Sequence, residues 1–177
     1  MALNLVNLDE RTRSFMLREL EMDVTNGTLY RSKRLTSDGW GQYPTLLRAA
    51  IESGDDASLA QCLKSGRCLK RAEPKRTKTG RVSTADVPWT AFETLAEGEF
   101  NRFYIRGVCR LALEEGISEL VIYRAKQVRS PRPQSQARIG KMVSPQALLD
   151  DLRVNKEVGP ALGVPAGPNS GLSVRLP

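Results

Sequence analysis

Three features of this chain predict an α-rich α+β fold. A segment from about Pro88 or Phe92 to Glu115 carries Phe100, Phe103, Tyr104, Val108 and Leu111 at three- and four-residue spacing, the stripe of an amphipathic helix. Leu120 to Tyr123 (LVIY) is short and β-branched, and is the one segment that reads as a secure strand. Cap signals at Asp55 or Asp56 and at Ser144-Pro145 open further helices. The expected architecture is a small helical core with a short strand or hairpin, a projecting basic arm and an extended C-terminal tail. Its divisions are an N-terminal helical region 1–68, the arm 69–87, a helix–strand–helix region 88–158 and the tail 159–177.

In chain order, Asn7 followed by Glu10 fits a capping box. Phe15, Met16, Leu20 and Val24 then recur at helical spacing, which predicts a helix from about Leu8 to Asp23. Asn26-Gly27 ends it, and Thr28 to Leu35 is a short strand or an extended connection. Ser37 to Gly41 reads as a turn leading to Pro44, a good first helical residue, with a helix to Ser53 stopped by Gly54. Asp55 or Asp56 caps the next helix, which ends near Gly66. Leu69 to Val87, rich in Lys, Arg and Thr, is an exposed arm or β-hairpin with a turn at Thr79-Gly80-Arg81. Gly116 closes the long helix, Ser130 to Pro133 favours polyproline-like backbone, and Ser144-Pro145 starts a last helix to about Arg153.

The tail reads GPALGVPAGPNSGLSVRLP, with Gly159, Gly163, Gly167 and Gly171 four apart and prolines at Pro160, Pro165, Pro168 and Pro177. Proline removes backbone donors and glycine is costly to order, so no helix is expected here. Leu162, Val164, Leu172, Val174 and Leu176 make it too apolar for a solvated linker. The expectation is a tail that lies in a groove on a partner or neighbouring subunit through those five side chains.

Net charge is +7 and unevenly spread. Lys64, Arg67, Lys70, Arg71, Lys75, Arg76, Lys78 and Arg81 face a single acid, Glu73, between positions 64 and 81. From Leu120 to Leu149 there is no acid, while Arg124, Lys126, Arg129, Arg132, Arg138 and Lys141 accumulate. Such stretches suit a polyanion or an acidic protein surface. Arg102, Arg106 and Arg110 share one helix face, either as phosphate contacts or as a solvated row balanced by Glu99, Glu114 and Glu115. The candidate polyanion contacts are therefore Lys70, Arg71, Lys75, Arg76, Lys78, Arg81, Arg102, Arg106, Arg110, Arg129 and Arg132.

The chain holds no histidine, which removes Ser-His and Cys-His catalysis and most catalytic zinc sites. Neither a phosphate-binding Gly-Lys-Ser/Thr loop nor G-x-G-x-x-G after a strand is present. Asp55, Asp56, Glu73 and Lys75 superficially offer a metal-dependent nuclease set, yet Pro74 separates Glu73 from Lys75 and no apolar strand flanks them. The aspartates are better read as helix caps. Cys62, Cys68 and Cys109 read as structural thiols in a reducing compartment, and Trp40, Trp89, Phe92 and Tyr123 as core aromatics. No apolar run approaches membrane-spanning length, and the N-terminus lacks a signal-peptide pattern. No cofactor, metal or catalytic residue is expected.

The segment Ala96-Glu97-Gly98-Glu99-Phe100-Asn101-Arg102-Phe103-Tyr104-Ile105-Arg106-Gly107, with Gly167-Pro168-Asn169-Ser170-Gly171-Leu172-Ser173-Val174, resembles small uncharacterised proteins of bacterial and prophage genomes. The resemblance carries no catalytic motif. It implies a phage-type virion protein, such as a minor head or connector component. The expected function is thus a non-enzymatic structural component of a larger assembly, docking through its tail on other subunits of a homo- or hetero-oligomer. Its expected place is a virion or the bacterial cytoplasm. The alternative is a cytoplasmic, regulatory nucleic-acid-binding protein using the basic stretches 64–81 and 124–141.

Overall fold

The computed structural model describes residues 2–76, 80–128, 130–156, 160–165 and 170–177. Its helices are α1 (Glu10–Thr25), α2 (Ser37–Ser53), α3 (Asp56–Ser65), α4 (Ala91–Glu114), α5 (Pro133–Gln136) and α6 (Pro145–Val154). The strands are β1 (Ala72–Arg76), β2 (Val82–Asp86), β3 (Leu120–Arg124), β4 (Met142–Val143) and β5 (Leu172–Arg175). The fold is α-rich α+β, with an antiparallel two-stranded ribbon β1-β2 and an antiparallel three-stranded sheet ordered β4-β3-β5.

Helix α4 is the central pillar. Phe100, Phe103, Tyr104, Ile105, Val108, Cys109 and Ala112 are all buried, and so are Glu99, Asn101, Arg102 and Arg106, so the helix is enclosed almost all round and must satisfy its polar groups inside the protein. Helices α1, α3 and α6 pack against it. Where α1 crosses it, Gly107 permits the approach: a Cβ there would lie 2.7 Å from Met16 Cγ and 2.9 Å from Thr12 O. Buried side chains of α1, α2, α3, α4, α6, β3 and β5 form one continuous cluster.

Two caps follow the expected chemistry. Asp55 accepts from Ser58 N at 2.7 Å and caps α3 in a capping box. Ser144 caps α6 with Pro145 in its first turn. Elsewhere the boundaries move. Asp9, not Asn7, caps α1 by accepting from Thr12 N at 2.8 Å. The Asn7 carboxamide instead accepts Leu176 N at 3.0 Å, and its backbone N–H donates to Tyr104 Oη. Helix α2 starts at Ser37, with Pro44 inside it, because Thr36 caps Gly39 N at 2.9 Å. The apparent turn glycine is a packing glycine: a Cβ on Gly39 would sit 2.1 Å from Cys68 O.

The segment Thr28 to Leu35 forms no strand; Leu35 alone makes an isolated bridge, to Leu69. The expected polyproline stretch Ser130 to Pro133 leads into the short α5, which begins at Pro133. The three-stranded sheet recruits β4 and β5, neither of which the sequence pattern singles out. No described helix is long and apolar enough to cross a membrane.

Candidate functional site

The basic arm is a β-ribbon that stands off the core. Its register pairs Ala72 with Asp86, Pro74 with Thr84 and Arg76 with Val82. Pro74 is tolerated because a two-stranded ribbon is all edge and leaves its missing donor facing solvent. Lys75, Arg76, Arg81, Val82, Ser83 and Thr84 are exposed, and Lys70 and Arg71 are exposed at the base. The base is fixed. Val87 N donates to Arg71 O at 2.8 Å, and Lys70 Nζ donates to Lys33 O at 2.8 Å. Arg34 grips Glu73 with two hydrogen bonds, Nε at 2.8 Å and Nη2 at 2.6 Å, which lowers the Glu73 pKa and raises that of Arg34. The only acid within β1 is thereby neutralised, and the ribbon's remaining charge is positive apart from Asp86.

The fold brings five candidate polyanion residues together on this ribbon and its base: Lys70, Arg71, Lys75, Arg76 and Arg81. Lys78 and Arg129 lie outside the described residues. Arg132 is exposed at the start of α5, and Arg110 on α4 is exposed with its Nε 3.9 Å from Glu19. Arg102 and Arg106 are corrected outright, for both lie inside the protein. Arg106 is wholly buried; its Nε and Nη2 donate to Glu19 Oε2 at 3.0 and 2.8 Å, and its Nη1 to Asp23 Oδ2 at 2.6 Å. Arg153 and Lys156 complete the cluster on Glu19 and Asp23, at 2.6 and 3.4 Å. Burial opposes ionisation of Glu19, but its bonds to Arg153 and Arg106 outweigh it and hold its pKa below the usual value. This is a structural knot joining α1, α4 and the end of α6, not a phosphate cradle.

The tail also departs from expectation. Val164, Leu172 and Val174 are fully buried in the chain's own core, and Leu162 and Leu176 pack half-buried against it. Strand β5 pairs antiparallel with β3, placing Ile122 opposite Val174 and Arg124 opposite Leu172. Asn101 Nδ2 donates to Leu172 O at 2.8 Å, and Ser173 Oγ donates to Asn101 Oδ1 at 2.7 Å. The apolar tail residues therefore serve the chain's own core, and the docking surface expected of them is not on offer. Gly159 and the Gly167–Asn169 part of the tail lie outside the described residues.

The nuclease set disperses into other duties. Asp55 caps α3, Asp56 accepts Leu3 N at 3.0 Å, and Glu73 holds Arg34. Among the described residues no cluster of acidic or thiol side chains could hold a metal ion. Cys68 and Cys109 are buried as expected, whereas Cys62 is exposed. Of the aromatics, Trp40 stacks on Tyr43 at 6.1 Å, while Trp89, in the connection from β2 to α4, is 79% exposed and lines a small hollow with Asp56, Ala60 and Lys64 of α3. Sequence reasoning assigned Trp89 to the core. Trp89 precedes the helix that starts at Ala91, so it falls outside the buried stripe of α4.

No protein-family model matches the chain, and neither a curated protein nor a solved structure resembles it.

Proposed function

We propose that the chain is a non-enzymatic nucleic-acid-binding protein that engages a duplex with its β1-β2 ribbon. The observation that carries this reading is the exposed two-stranded ribbon bearing Lys70, Arg71, Lys75, Arg76 and Arg81. Paired strands lie about 5 Å apart, so a ribbon with its side chains fits a major groove about 12 Å wide. Cations on such a ribbon neutralise phosphates and release counterions. The solvent-facing Trp89, three residues past the end of β2, offers a flat surface for stacking on a base or sugar.

The test is fluorescence anisotropy on a labelled duplex across a salt series of roughly 50 to 200 mM. Affinity should fall steeply with salt, with a log–log slope near about −0.9 per phosphate contacted. The double variant K75E/R76E should weaken binding and flatten that slope by about 2, with stability changed by less than about 0.5 kcal/mol. Salt-independent binding, or an unchanged slope in the variant, would sink the reading. A second reading, a component of a phage-type or other assembly, is favoured by Val82, 64% exposed on the ribbon. It calls for an oligomer that persists at high salt and dissociates in V82E.

A further inference from the structure

Beside α4, next to the Lys156 end of the ion cluster, lies a cavity of about 430 Å3, within the usual size of small-molecule sites. One face of α4 lines it through Ala91, Leu95, Gly98 and Arg102, at the three- and four-residue spacing of a single helix stripe. Opposite stand the connection after α1, with Tyr30, Arg31 and Lys33, and the returning tail, with Pro160, Pro165 and Ser170. Leu69 and Glu73 contribute from the base of the ribbon.

The unusual occupant of that lining is Arg102. It is 9% exposed, yet its Nε and Nη1 have no hydrogen-bond partner among the described residues. Its nearest carboxylate, Glu99 Oε1, is 3.7 Å from Nε, beyond hydrogen-bond range, and Glu99 Oε2 is likewise unpartnered. A buried guanidinium with idle donors is costly, and native proteins keep such groups where a ligand, ion or water completes them. The other charges around the cavity have partners or offset one another. Glu73 is held by Arg34, Glu97 by Lys126, and Lys156 by Asp23 and by Thr28 O. Burial pushes the Glu99 carboxyl up to about 7, which weakens its claim on Arg102 near neutral pH. Arg31, its guanidinium 5.3 Å from the centre of the Trp40 ring, and exposed Lys33 leave the rim positive.

We infer that this cavity is a binding site for a small organic oxyanion, its carboxylate or phosphate clasped by Arg102 and its apolar body lying against Leu69, Leu95 and Pro165. Guanidinium suits both head groups because its planar fork matches paired oxygens. The site is separate from the ribbon's proposed groove contact and does not depend on it.

The test is calorimetric titration of the full chain with benzoate, phenyl phosphate and neutral benzamide. At least one anion should bind at one site per chain while benzamide does not, and the better of the two identifies the head group. Two variants read the site. Arg102→Gln removes the fork and should weaken binding about tenfold or more. Gly98→Leu places a side chain in the cavity, where a Cβ at residue 98 meets nothing within 4 Å, so it should block binding in a protein that remains folded. K75E/R76E should bind the anion as the native chain does. The inference is overturned if neither anion binds up to about 10 mM. Equal affinity in Gly98→Leu, or loss in the ribbon variant alone, would overturn it as well.

Discussion

Arg106 shows how far a residue's role depends on partners remote in the chain. Its carboxylates are 87 and 83 residues away, so the helical row Arg102, Arg106, Arg110 reveals nothing of them. The hint lay in Glu19 and Asp23, one helical turn apart, beside the apolar Met16 and Leu20 that α1 turns inward. Removing one member of such a buried set strands the others. Arg106→Met should therefore lower unfolding stability by about 3–5 kcal/mol in urea titration. Glu19 and Glu99 act oppositely with pH. The lowered pKa of Glu19 contributes stability above its unfolded value of 4.5, lost as pH falls through that range. Glu99 has its pKa raised to about 7, so the folded chain keeps a proton that the unfolded chain releases above 4.5, and its contribution falls as pH rises between those values. Glu99→Gln should accordingly raise the melting temperature at pH 8 more than at pH 4.5. An equal gain at both values would contradict that account.

At the scale of elements, those formed by local signals were legible. The apolar periodicity of α4, the Asp55 and Ser144 caps and the Leu120–Tyr123 strand all appear where the residues place them. The elements that depend on distant partners were not. Strand β4 has two residues and β5 four, too few for a periodic signal, and each exists by pairing with β3. Gly171 and the prolines before β5 suggested a docking arm, yet Gly171, at φ +63°, leads directly into a strand paired with the chain's own β3. That difference is measurable. Leu172→Ala should cost about 2–5 kcal/mol in unfolding stability, the range for a buried leucine, whereas a side chain docked on another protein would leave the isolated chain unaffected. Of the ribbon, its existence and charge were legible; its anchoring through Arg34 to Glu73 was not, because 39 residues separate the pair.

In the whole molecule, one core cluster draws on all four divisions suggested by composition, with Leu69 joining it from the base of the arm while the paired strands β1 and β2 stay outside. The sequence divisions at 68, 87 and 158 marked changes of composition rather than separate cores. The same topology sets an order on assembly. Strand β3 leaves a ribosome well before β5, its partner through Val121 to Arg175, and Asn4 N donates to Ala125 O on the same side of the molecule. A growing chain thus carries an unpaired β-edge and an uncovered Ile122 while some fifty residues are still to be made. Any factor that shelters nascent chains would find its work concentrated in that interval, and any interruption of translation within it would release a protein with its sheet open.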